Sequence, residues 1–262
     1  MSKKAGSDIL SILGRGSSKI TKPTHSNASP IANLEVKLSQ TPSLGLRVPG
    51  CKAGWTVKGS HLVQYVPKQS IFTITPPHKI ASFDLDDTLV RTKSGGKFAV
   101  NGDDWQFING KVVPKLHQLW ADGYVIVIFT NQGGVVADST LKSFIKLKAR
   151  VGNVVDAIYG DAAKSGHLMV FGSPKYPKAK TYKGVKSAEA KHAEMRKPQV
   201  GMWTELVKAM RQEGDTGDTE LIDMENSYFV GDAAGRKGDF SDSDLKFAKN
   251  AGLTFFTPEE FF

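Results

Sequence analysis

One cysteine, Cys51, stands in 262 residues. That excludes an internal disulfide and any zinc module built on cysteine pairs, and it points to a reducing compartment. No apolar run approaches the length of a membrane span and no signal-peptide core is visible, so a soluble intracellular protein is expected. The pattern Gly-x-x-x-x-Gly-Lys-Ser/Thr occurs nowhere, and without that phosphate cradle, phosphoryl transfer from ATP of the P-loop kind is excluded. Acids are scarce at one end only. Residues 1–79 carry 11 bases against 2 acids, Asp8 and Glu35, a surplus equal to the whole chain's +9, whereas residues 80–262 hold 24 of each.

The charge and composition divide the chain. Residues 1–50 are rich in Ser, Pro, Lys and Asn without periodicity, which predicts a basic, disordered tail. Such a tail suits nucleic acid through counterion release, and equally suits a solubilising arm. Its stretch Asp8-Ile9-Leu10-Ser11-Ile12-Leu13, followed by Arg15 and Lys19, faintly resembles a mitochondrial presequence. Residues 51–262 are long enough for one folded domain. Short β-type runs stand at Trp55-Thr56-Val57, at residues 62–66 and at residues 71–74, before Pro76-Pro77 punctuates the chain.

The organising stretch follows: Ile80-Ala81-Ser82-Phe83-Asp84-Leu85-Asp86-Asp87-Thr88-Leu89. An apolar β-type run ending in three carboxylates and a threonine reads as a buried strand that delivers acids to its C-terminal edge, where open α/β sheets bind ligands. The two-residue period of a strand puts Asp84 and Asp86 on one side. Two adjacent acids do not both ionise cheaply, so a cation or a shared proton is implied. A solvated acidic turn would account for this spacing alone, but complementary parts recur downstream.

The glycine-rich residues 91–110 read as a small flap. Residues 111–122 have helical spacing and stop at Gly123. A second buried strand, 124–129, runs into Thr130-Asn131-Gln132-Gly133-Gly134, where hydroxyl, amide and backbone donors can converge on phosphate oxygens. Residues 139–160 read as a helix broken near Gly152, and 167–171 as a third strand. Between 174 and 197 lie eight bases, two acids and interleaved Tyr176 and Tyr182, the composition of a single-strand nucleic-acid contact or of a solvated loop. A helix over 201–213 precedes a fourth strand, 227–230, that ends in Gly231-Asp232. A further helix after residue 239 and a last strand, 251–256, complete a doubly wound α/β pattern with acids or hydroxyls at three strand ends.

In order, Asp84-x-Asp86-x-Thr88, Thr130-Asn131, Lys197 and Gly231-Asp232 resemble the haloacid dehalogenase superfamily of phosphotransferases. Phe129-Thr130-Asn131-Gln132, Arg196-Lys197-Pro198-x-x-Gly201-Met202-Trp203, Phe229-Val230-Gly231-Asp232-Ala233-Ala234-Gly235-Arg236, Asp239-Phe240-Ser241 and Thr257-Pro258-Glu259-Glu260-Phe261-Phe262 narrow the resemblance to the polynucleotide 3′-phosphatases. It runs from about residue 54 to the C-terminus, with the tail and a basic insertion at 174–195 outside it.

The resemblance implies a mainly parallel, Rossmann-like haloacid dehalogenase fold with a small flap and no large cap domain. It implies a DNA 3′-phosphatase of strand-break repair. Asp84 would be the nucleophile and Asp86 the acid and then base. Thr88, Thr130, Asn131 and Lys197 would hold phosphate, Thr88 also orienting the first loop. Mg²⁺ would sit on Asp84, the Asp86 carbonyl and Asp232, with Asp244 or Asp239 behind them. DNA contacts are expected from Lys178, Lys180, Tyr182, Lys183, Lys186 and Arg236. The chain would have no 5′-kinase activity, act as a monomer alongside repair proteins in the nucleus or mitochondrion, and make no membrane contact.

Asp87 departs from the family, which has glycine there, so the loop either avoids a glycine-only conformation or strains for it. Two rivals stand beside this expectation: a histidinol- or sugar-phosphate phosphatase on the same fold, and a non-catalytic DNA-end binding module.

Overall fold

The computed structural model of the chain describes residues 53–67, 76–159, 168–178, 182, 184–211 and 220–262. The expected tail 1–50, the expected strand at 71–74, and Lys180 and Lys183 lie outside the described residues.

Nine strands and six helices alternate along the described chain: β1 Ala53–Lys58, β2 Leu62–Pro67, β3 Ile80–Phe83, β4 Val90–Arg91, β5 Gln106–Phe107, α1 Val112–Ala121, β6 Val125–Gln132, α2 Lys142–Tyr159, β7 Leu168–Pro174, α3 Glu189–Met195, α4 Gly201–Met210, β8 Tyr228–Val230, α5 Ser243–Ala251, β9 Thr254–Phe256 and α6 Pro258–Phe261. Seven strands form one sheet in the order β1-β2-β7-β6-β3-β8-β9. The β7-β6-β3-β8-β9 part is parallel, and the β1–β2 hairpin adds antiparallel pairs at one edge. The flap is the two-stranded β4–β5 ribbon.

The two-residue period of β6 separates two cores. Ile126 and Ile128 face the cluster that holds Leu116 of α1 and Phe144, Leu147, Val151 and Val154 of α2. Val125, Val127 and Phe129 face Met202, Leu206 and Met210 of α4 and Phe247 of α5. Strands β7, β6, β3 and β8 are thus buried on both faces, as helix-covered parallel sheets require. The chain moves outward from β3 through β6 to β7, then returns to the other side of β3 as β8. That reversal opens a crevice at the carboxyl ends of β3, β6 and β8, the place where such sheets bind ligands.

Three expectations are corrected. Helix α2 runs unbroken through Gly152. A mid-helix glycine costs about 1 kcal/mol, which the burial of its apolar face, at roughly 1.5–3 kcal/mol per large side chain, outweighs. The second strand extends past Phe129, because Thr130 and Asn131 pair in register with Gly172 and Ser173 of β7. Asp84 and Asp86 lie beyond the end of β3, in a turn closed by Asp87 N–H to Val90 O at 2.8 Å and Leu89 N–H to Leu85 O at 3.1 Å. They therefore do not share a strand face.

Candidate active site

The turn after β3 takes its shape at Asp87, which adopts φ +59°. A short polar side chain tolerates this left-handed conformation better than most, so Asp87 takes the conformation that glycine adopts most easily and accepts the strain. The result splits the two acids. Asp84 points into the crevice and is 7% exposed, while Asp86 turns to the side.

Asp84 Oδ1 lies 2.6 Å from Lys197 Nζ, which also lies 2.7 Å from Asp244 Oδ1; Lys197 is 3% exposed. Asp232 completes a cluster in which Asp84, Asp232 and Asp244 each offer an oxygen within 4.8 Å of the others. Gly231 makes this possible. A Cβ there would stand 2.4 Å from Asp244 Oδ2 and 2.6 Å from its Cγ, so only glycine lets α5 bring Asp244 this close. Gly231→Ala is therefore expected to displace Asp244 and lower turnover at this site by at least about 30-fold with little change in fold. Steady-state kinetics and circular dichroism on the purified variant check this, the figure following from an ångström-scale misplacement of a charged group.

Lys197 is aimed from its backbone. Asn131 Nδ2 donates to Lys197 O at 3.1 Å and Lys197 N–H donates to Asn131 Oδ1 at 3.0 Å. Asn131 thus binds the lysine's main chain through both its amide nitrogen and its amide oxygen, which places Lys197. Thr130, 2% exposed, keeps its hydroxyl at the strand end, accepting from Gln132 Nε2 at 2.8 Å. Thr88 ties the first acidic loop to the fourth strand: its Oγ1 accepts from Asp232 N–H at 3.1 Å.

Burial pushes the Asp84 carboxyl well above the usual carboxylate range, Asp244, Asp232 and Asp86 push the same way, and only Lys197 opposes them. Asp232 is pushed up to about 6 by burial and then by Asp244 and Asp87. Burial would lower Lys197, but Asp244 and Asp84 outweigh it and hold the ammonium charged. Three carboxylates therefore share a single ammonium. Hard oxygen donors with that charge deficit fit a divalent cation.

Several residues lie elsewhere than the sequence suggests. Asp239 accepts from Ala234 N–H and Arg236 N–H at 3.1 and 2.9 Å, so it does not back the acidic cluster. Arg236 spends its guanidinium on Asp239, on Glu259 at 3.0 Å and on the Asp232 carbonyl at 3.1 Å. These bonds brace the loop that carries Asp232. In the basic segment, Lys186 sits 4.1 Å over the Tyr176 ring, which packs edge-on to buried His192, and the Tyr182 hydroxyl is 3.4 Å from Ala137 O. Helix α3 folds back into the core through His192 and Met195, so the second half of 174–195 is not a solvated loop. Lys178 is engaged within the protein.

Two residues of the site were not singled out from the sequence. Arg150 of α2 pairs with Asp86 Oδ1, and Gln132 Nε2 donates to Asp86 Oδ2 at 3.0 Å. The signal for Arg150 was a base on the apolar face of α2, three residues after Leu147 and four before Val154. Among the described residues no helix is long and apolar enough to cross a membrane.

The family described as polynucleotide kinase 3 phosphatase matches residues 79–262. A polynucleotide 3′-phosphatase of Saccharomyces cerevisiae is 34% identical over 227 residues, covering 77% of this chain and 95% of its own length. A bifunctional polynucleotide phosphatase/kinase of Schizosaccharomyces pombe is 36% identical over 184 residues, covering 70% of this chain and 37% of its own length. This chain thus spans little more than a third of that relative. A polynucleotide 3′-phosphatase of Arabidopsis thaliana is 36% identical over 196 residues, 70% of this chain and 24% of the relative. Among solved structures, a haloacid dehalogenase-like phosphatase from Mesorhizobium loti superposes with a TM-score of 0.51 at 21% identity over 76% of this chain and 80% of that one, a likeness of fold. The match over residues 79–262 contains every residue of the acidic cluster together with Lys197, Thr130 and Asp86, and so the chain belongs to the polynucleotide kinase 3 phosphatase family.

Proposed function

We propose that this chain is a DNA 3′-phosphatase that converts 3′-phosphate ends at strand breaks to 3′-hydroxyls. The observation that carries the reading is the separation of the two acids: Asp84 is buried against Lys197, while Asp86 is held apart by Arg150 and Gln132. One carboxylate is placed to attack and the other to handle a proton.

Asp84 Oδ attacks phosphorus, the bond to the 3′ oxygen breaks, and Asp86 gives that oxygen its proton. Water then attacks the aspartyl-phosphate, Asp86 takes the water's proton, and Asp84 leaves as carboxylate. Lys197 and the Thr130 hydroxyl face the oxygens of the transferring group, where fixed donors act most strongly in a dry site. Asp84, Asp232 and the Asp86 carbonyl would hold Mg²⁺, with Asp244 in reach. When bound, that ion neutralises phosphate charge and favours the ionised carboxylates.

The entrance supports a polynucleotide. Asp86, Asp87, Arg91 and Lys97 line a cleft of about 270 Å³. At its lip Phe98 and Phe240 are exposed, with Lys97 Nζ 5.9 and 5.0 Å from their ring centroids. Aromatic faces beside a lysine suit a stacked base and its phosphate. A DNA substrate places the activity in a compartment that holds DNA, the nucleus before the mitochondrion. The test is phosphate release from a 3′-phosphorylated oligonucleotide against a panel of sugar phosphates, with 5′-labelling from ATP as a control. Release from the oligonucleotide alone is expected. Preference for a sugar phosphate, or 5′-labelling by pure protein, overturns the reading.

Metal dependence has a definite sign. The folded pKa of Asp232 lies above its unfolded value of 3.8, so its contribution to stability is present below that value and lost as pH rises through about 6. A bound cation reverses the loss by favouring the ionised form. Mg²⁺ is therefore expected to raise Tm over an EDTA sample by roughly 5 °C near about pH 7.5, and by less than about half of that near about pH 5. Thermal unfolding at the two pH values measures it, and an equal shift at both would exclude Asp232 as a ligand.

A further inference from the structure

Arg150 is a cation in the wall of a hydrophobic core. It projects from the face of α2 that carries Leu147, Val151 and Val154, and it is 7% exposed. A guanidinium in that position needs a partner, since an unpaired buried charge is strongly unfavourable. Its partner is the Asp86 carboxylate, 64 residues away in sequence, reached through Oδ1. The other oxygen, Oδ2, accepts only from the neutral amide of Gln132 at 3.0 Å, and the same Gln132 Nε2 donates to Thr130 Oγ1 at 2.8 Å. Asp86 is thus gripped on one oxygen by a charge-assisted bond and on the other by a weaker bond on the phosphate-binding side.

Helix α2 is itself fastened to the flap around Arg150. Lys146 Nζ donates to Ala99 O at 2.5 Å, Asn153 Nδ2 donates to Gly102 O at 3.2 Å and to Asp103 Oδ1 at 2.8 Å, and Gly102 packs so closely on Ala149 that a Cβ would stand 2.7 Å from the Ala149 Cβ. Those four contacts, made by Lys146, Ala149 and Asn153, bracket residue 150 on adjoining turns, so Arg150 has little freedom to follow Asp86 if the carboxylate turns.

We infer that Arg150 is a positioning residue for the reaction: it holds Asp86 by Oδ1 so that Oδ2, released from Gln132, is the oxygen that passes the proton to and from the reacting group. This rests on the reading of Asp86 as acid and base. A sugar oxygen leaves poorly without that proton, whereas an aryl oxide leaves without help. Loss of Arg150 must therefore harm the two kinds of substrate unequally in the first step.

The experiment compares Arg150→Met, of similar length and apolar, with wild type and Asp86→Asn on two substrates. One is a 3′-phosphorylated oligonucleotide in steady state; the other is a nitrophenyl phosphate in a rapid-mixing burst that reports formation of the aspartyl-phosphate. Arg150→Met is expected to lose about 100-fold in kcat on the oligonucleotide, the scale of an ångström misplacement, while its burst rate stays within about fivefold of wild type. Arg150→Lys, which keeps a charge in the same space, should show the same split with a smaller loss, and it serves if the Met variant does not fold. Equal losses in both assays would make Arg150 a structural residue, and a kcat within about threefold of wild type would leave it no role in turnover; either result overturns the inference. Inactive wild type, or an active Asp86→Asn, would instead overturn the assignment of Asp86.

Discussion

Asp84→Asn is expected to lose more than about 10⁴-fold in kcat, form no phosphoryl-enzyme and stay folded, because removing a nucleophile deletes the reaction path rather than weakening it. The substitution keeps the shape of the side chain, so Lys197 retains Asp244 at 2.7 Å. Its stability has a predictable sign. Burial holds the Asp84 carboxyl well above its usual range, so the folded pKa exceeds the unfolded one. Its contribution is then present at low pH and lost as pH rises through the folded value. Because that contribution fades as pH rises, Tm of the asparagine variant should lie within about 3 °C of wild type. Asp86→Asn behaves differently: it should still form phosphoryl-enzyme from a good leaving group, and then accumulate it. Acid-quench trapping of labelled enzyme distinguishes the two variants. More than about one per cent residual turnover in Asp84→Asn sinks direct attack by this residue.

Lys197→Met carries the second large effect, and it reaches stability as well as chemistry. The ammonium is 3% exposed and bridges Asp84 and Asp244. Breaking a buried ion group by removing one partner costs about 3 kcal/mol, because it strands the other charges. Here the stranded groups are three carboxylates whose oxygens lie within 4.8 Å. Their mutual repulsion raises the folded pKa values of Asp84 and Asp232 further, so the deficit should be large near about pH 7.5 and shrink toward about pH 5 as protons replace the lysine. Turnover should fall by about 10³-fold, since the variant loses a fixed charge at the transferring phosphoryl group. Chemical denaturation at the two pH values and kinetics at neutral pH measure both. A variant as stable as wild type at about pH 7.5 would mean that Lys197 stabilises nothing in the free enzyme.

The sequence was most legible where a residue's task follows from the element it ends. The run 80–83 could only be a buried strand, and acids placed directly after it had to emerge at a sheet edge. The same reasoning placed Asp232 after β8 and Thr130 at the end of β6, because buried parallel strands read as continuous apolar runs. Gly152 misled, since its local penalty is real but small beside the apolar face it interrupts. Asn131 has a further task that its neighbourhood does not announce: its amide oxygen and nitrogen bond the main chain of Lys197, 66 residues on.

By itself, then, the sequence determined the doubly wound sheet, the order of acids, hydroxyl and lysine around its edge, and the phosphatase family. The sheet and its edge residues depend on periodicity and on residue types at element ends, whereas the family rests on the resemblance of the ordered motifs. Only the tertiary structure decided which charges meet: Lys197 with Asp84 across 113 residues, Arg150 with Asp86 across 64, Asp244 beside Gly231 and Asp232, and Arg236 with Asp239 and Glu259. Periodicity states which face of an element is buried, but the partner of a buried charge is set by how elements distant in sequence cross. An unpaired charge in a low dielectric is unfavourable, so the fold favours crossings that bring buried charges such as Lys197 and Arg150 to opposite ones.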